Sequence, residues 1–92
     1  MPYIERDSRD KYDPAINNLI DLIKNKDCNP LAGDLAYIVY KICLGVCKRF
    51  EFTTFYRLNM ITGVLDNVKD EFKRRVLFPY EDAKMDLNGD VE

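Results

Sequence analysis

The chain has 92 residues, with 14 Lys and Arg against 16 Asp and Glu, three cysteines and no histidine. A formal charge of −2 argues against a general nucleic-acid binder, which carries a net basic face. An odd cysteine count without histidine excludes a closed disulfide framework and a four-ligand Cys/His zinc site.

A single domain of this size, spanning residues 1–92, buries only roughly two-thirds of the surface it exposes when unfolded. Small domains of this kind gain stability from disulfides, a metal or oligomerisation, and the first two are not provided for. Free thiols with no export signal imply a reducing, cytoplasmic compartment. The longest apolar stretch, Leu35–Cys47, is broken by Lys41 and falls short of the ~20 apolar residues a bilayer needs, so no membrane span is expected.

Met1–Tyr12 is charged and reads as an irregular arm anchored by Ile4 and two tyrosines. Asp13-Pro14 is a helix start, since Asp13 accepts orphan N–H bonds and proline suits the first helical position. Ile16, Leu19, Ile20 and Ile23 then recur at three- and four-residue spacing, predicting a helix over 14–26. Asn29-Pro30 repeats the start signal for a second helix over 31–49.

That second helix is apolar on two faces. Leu35, Ile38, Val39, Ile42 and Val46 form one, and Tyr37, Tyr40, Leu44 and Cys47 form the other. Only Asp34, Lys41 and Lys48, seven apart, give it a narrow polar stripe. A helix apolar nearly all round must be covered on more than one side. Two partner helices in one short chain are too few, so homo-oligomerisation is expected, with Tyr37, Tyr40 or Leu44 at the contact. Cys43 and Cys47 read as small buried hydrophobes.

Thr53-Thr54 offers a cap, and Leu58, Ile61, Leu65, Val68, Phe72 and Val76 predict a third helix over 54–78. Pro79 predicts a kink or stop near Phe78, then a short turn of helix through Lys84 before the tail, and Asn88-Gly89 a turn. The fold class is all-α, a three-helix bundle with an irregular N-terminal arm and a short C-terminal tail.

The densest chemistry lies after Asp66. Asp70 with Arg74 and Glu71 with Arg75 are acid-before-base pairs at four-residue spacing, worth a few tenths of a kcal/mol each on an exposed helix. Adjacent Arg74 and Arg75 point about 100° apart, so one of them is expected to face a partner chain or an anionic ligand. With Tyr80, held on a stiff corner by Pro79, and Lys84, they form a candidate anion-binding site. Glu81 and Asp82 are competing partners for the same arginines, which would make the corner an internal latch instead.

Asp86–Glu92 resembles a calcium loop only superficially: its glycine is at the fourth position rather than the sixth, and no bidentate glutamate follows. No metal or other cofactor is expected. An all-α nucleotide pyrophosphohydrolase of the MazG type is the enzymatic alternative, with Asp66, Asp70 and Glu71 as magnesium carboxylates. The second helix, however, offers only Asp34 opposite them. No nucleophile with a base partner is present, and the chain is expected not to be an enzyme.

Met1-Pro2-Tyr3-Ile4, Gly33-Asp34-Leu35-Ala36-Tyr37, Glu71-Phe72-Lys73-Arg74-Arg75-Val76, Pro79-Tyr80-Glu81-Asp82 and Asn88-Gly89-Asp90-Val91 together resemble a family of small proteins of bacteriophages, bacteria and archaea. The resemblance covers nearly the whole chain, and its last two blocks are the most specific. The chain departs from the family pattern at Ala36, where asparagine is frequent, at Lys73, where tyrosine is usual, and at Glu92, where an aromatic is common. The family carries no established activity. The phage or prokaryotic setting it implies favours a binder: an oligomeric sponge for an anionic nucleotide signal of host defence, or an inhibitor of a host protein.

Overall fold

The computed structural model describes residues 3–91, so Met1, Pro2 and Glu92 of the terminal motifs lie outside it. Among the described residues the fold is all-α, without strands. Helix α1 is Arg6–Leu22, α2 is Cys28–Arg49, and the third, long and bent helix consists of α3 (Phe55–Phe72), a π-helical turn (Lys73–Leu77) and α4 (Phe78–Asn88). The chain divides into two compact units, Met1–Ile42 and Cys43–Glu92.

In the first unit, α1 begins well before the expected Asp13-Pro14 start, and Pro14 lies inside it. The arm expected to be irregular is largely helical. Its polar stretch Arg6–Asp13 suits a solvated helical face, and Asp7 in the first turn complements the positive end of the helix dipole. Pro14 removes one donor from the ladder, a loss tolerable where the carbonyl of exposed Asp10 can turn to water. The helix ends at Leu22, short of residue 26, and Ile23 is already extended. The Asn25 side chain accepts from the Asp27 N–H at 2.9 Å, forming an Asx turn that leads into α2.

Helix α2 starts at Cys28, with the Asp27 carbonyl accepting the N–H of Leu31 at 3.0 Å, three residues before the expected start at 31. Its 22 residues make it, among the described helices, one long and apolar enough by length and composition to cross a membrane.

The second unit opens with the end of α2. Phe52 N–H donates to the Cys47 carbonyl at 2.9 Å and Glu51 N–H to that of Lys48 at 3.4 Å, a Schellman ending. The position that such an ending gives to glycine is held by Glu51, at φ 54°. Thr54 then caps α3, its Oγ1 accepting from the Arg57 N–H at 3.4 Å.

Of the kink or stop expected near Phe78 the kink is found: the third helix bends and continues through a widened turn, running past Lys84 to Asn88. The N–H of Phe78 reaches back five residues to the Lys73 carbonyl, and Pro79 sits in the first turn of α4. A π turn holds one residue more than an α turn, which carries the carbonyl four residues before Pro79 away from the proline ring. Gly89, at φ 85°, ends α4 with its N–H on the Met85 carbonyl at 2.8 Å, where a side chain would be strained.

No described residue is fully buried. Each helix shows apolar side chains to solvent: Ile16 and Ile20 on α1, Val39 and Ile42 on α2, Val68 and Phe72 on α3.

Candidate functional site

The charged segment of the third helix is organised around Glu71. One of its carboxylate oxygens, Oε1, accepts from Arg74 Nη2 at 2.6 Å and from Arg75 Nε. Both arginines therefore serve one intrahelical acid, which corrects the expectation that their angular separation frees one of them. Positions three and four residues after an acid straddle it one turn on, so two long guanidinium side chains reach the same carboxylate from either side. Arg74 accordingly pairs with Glu71 rather than Asp70, and neither arginine pairs with Glu81 or Asp82 among the described residues. The Arg74 guanidinium, then that of Arg75, holds the Glu71 carboxyl well below its usual 4.5, at about 2. One carboxylate against two guanidiniums leaves this turn with a net positive charge.

Tyr80 and Lys84 form a second pair one turn apart on α4, with the Lys84 ammonium 5.7 Å from the Tyr80 ring centroid. Tyr80 is 60% exposed. The helix thus presents an arginine pair within the π turn and a tyrosine–lysine pair on α4 just after it. Lys69 meets Asp66 at 3.7 Å, an exposed pair of little energetic weight.

The tyrosines expected at an oligomer contact are both open to solvent. Tyr37, with Lys41 5.9 Å from its ring, borders an open groove of about 200 Å³ that is also lined by Leu19, Leu22, Ile23, Asp34 and Ile38. Tyr40 is exposed as well, and Leu44 is half-buried. Leu44 lines a wider groove of about 690 Å³ at the turn between α2 and α3, with Cys47, Phe52 and Leu58 among its walls. That groove was not anticipated from the sequence. Its signal was Phe50-Glu51-Phe52: the two rings stack at 5.8 Å, and Arg57 covers Phe52 at 5.0 Å. Cys43 and Cys47 are free and half-buried, and Cys28 is free and exposed.

A family profile described as a domain of unknown function, DUF6899, matches residues 1–91. The chain belongs to that family. No curated protein and no solved structure matches it. Membership in DUF6899 brings no activity with it.

Proposed function

We propose that this DUF6899 member is a non-enzymatic, homo-oligomeric binding protein whose assembled form takes an anionic ligand of the nucleotide class. What supports self-association is that no described side chain is fully buried while large apolar residues stand exposed on every helix. Covering one Leu, Ile or Phe contributes about 1.5–3 kcal/mol, whereas ordering each residue's backbone costs about 1–2 kcal/mol. Helices without a core of their own need faces from other copies to offset that cost. Lys41 near the middle of α2 would cost about 2.5–3.5 kcal/mol at a bilayer centre, which favours a protein partner over lipid for the same helix.

The ligand class follows from the third helix. Arg74 and Arg75, which share the Glu71 carboxylate, lie on the same helix as Tyr80 and the Lys84 ammonium near its ring, and the residue types suit a phosphate joined to a planar base. In a phage or prokaryotic setting this assembly would act as a sponge sequestering a nucleotide signal of host defence. Native mass spectrometry of freshly purified protein tests both parts together. A multiple of the 10.8 kDa chain carrying a nucleotide-sized adduct is the expected result. A bare monomer contradicts the proposal.

A further inference from the structure

The π turn changes which residues share a face of the third helix. Ahead of it, Leu58, Ile61, Leu65, Val68 and Phe72 repeat at three- and four-residue steps, the a and d positions of a heptad. Were the helix α throughout, the next such positions would be Arg75, Pro79, Asp82 and Asp86, and the apolar line would end at Phe72. The π turn adds one residue to the count. With that addition the positions become Val76, Tyr80, Ala83 and Leu87, and the line runs unbroken to the end of α4. An insertion in the backbone and a one-residue offset in the apolar pattern coincide at the same place.

Along the helix, α3, the π turn and α4 contain 18, 5 and 11 residues, about 50 Å at ~1.5 Å per residue. Leu65, Val68, Phe72, Val76, Tyr80 and Leu87 are all exposed on it. Among the described residues of the same unit, the only other helical stretch is the end of α2, Cys43 to Arg49, about 10 Å long.

We infer that this line is a docking seam for the same helix of a second copy, running antiparallel about a twofold axis at the π turn. Residue sizes favour that orientation. Antiparallel layers place a positions against d positions, so that Phe72 meets Val76, Tyr80 meets Val68 and Ala83 meets Leu65, each large side chain against a smaller one. An in-register parallel pair would set Phe72 on Phe72 and leave a void between two copies of Ala83. The flanking positions agree: Lys69 would oppose Leu77, and Lys84 would oppose Thr62, so no like charges meet. The seam also brings Tyr80 to the junction of two copies, with Arg75 beside it.

This inference rests on the self-association proposed above and specifies its contact. The test uses the full chain with Cys28, Cys43 and Cys47 replaced by serine, oxidised under native conditions. Leu65→Cys with Ala83→Cys in one chain is expected to give a covalent dimer, and Ala83→Cys alone is expected to give none. The two sites of one chain lie about 27 Å apart along a single helix and cannot join to each other. Cross-linking by Ala83→Cys alone, or by neither variant, overturns the antiparallel seam. Light scattering on the same samples separates the two levels: an oligomer without the cross-link overturns the seam only, and a monomer overturns self-association as well.

Discussion

The backbone N–H of Phe78 donates to the carbonyl of Lys73, five residues back, one residue before a proline that ordinarily breaks a helix. In a regular α helix Pro79 would clash with the Arg75 carbonyl, and an interior proline costs about 3 kcal/mol relative to alanine. The widened turn relieves the clash, so Pro79→Ala is expected to stabilise the protein by less than about 1 kcal/mol. Thermal melts at matched protein concentration check this; a gain near ~3 kcal/mol would mean that the turn relieves nothing.

Glu71 makes acid sensitivity predictable. Its carboxyl titrates at about 2 in the folded chain against a usual 4.5. A depressed carboxylate contributes stability that is fully present above the unfolded value and lost as pH falls through the folded one. Wild type should therefore melt above Glu71→Gln at neutral pH. The gap should narrow below about pH 4.5 and close near pH 2. High salt should shrink it as well, because the pair is exposed to screening. A gap that does not vary with pH would show that the arginines are not held by this carboxylate.

At the end of α2, Glu51 occupies a left-handed conformation at φ 54°. A residue with a Cβ pays about 1–2 kcal/mol there, and glycine does not. Glu51→Gly is expected to stabilise by about 1 kcal/mol, less whatever flexibility glycine adds to the unfolded chain. Chemical denaturation would register this as a higher midpoint at unchanged slope.

Ligand binding at the third helix should appear as a thermal shift. A nucleotide at one hundred times its dissociation constant adds about 2.7 kcal/mol. Arg75→Ala is expected to abolish that shift while leaving the unliganded protein folded. If neither cyclic nor linear nucleotides raise the melting temperature, the cluster is a charge balance internal to the helix.

The three helices were legible in the sequence because their apolar stripes recur at helical spacing: Ile16 to Ile23, Leu35 to Val46, Leu58 to Phe72. Their boundaries were less so. Asp13-Pro14 carries a start signal, yet the polar stretch before it extends the helix to Arg6, since a single lost hydrogen bond on a solvated face does not end it. On the third helix the Glu71–Arg75 pair was legible in the sequence, and the partner of Arg74 was not. Spacing alone permits Asp70 or Glu71 for Arg74, and side-chain reach decides. The π turn was hidden because Pro79 reads equally as a stop or a kink. The shift from Phe72 to Val76, Tyr80 and Ala83 was its trace, visible only once the extra residue in the backbone is counted.

Self-association is the central claim, and its most direct test is molecular mass and helix content followed together on dilution. Light scattering at ~100 μM, where even a micromolar interface saturates, should report a multiple of 10.8 kDa. Circular dichroism should lose helical signal as dilution dissociates the assembly, because the helices have no core of their own. A monomer at ~100 μM that keeps its full helical signal on dilution would contradict the account.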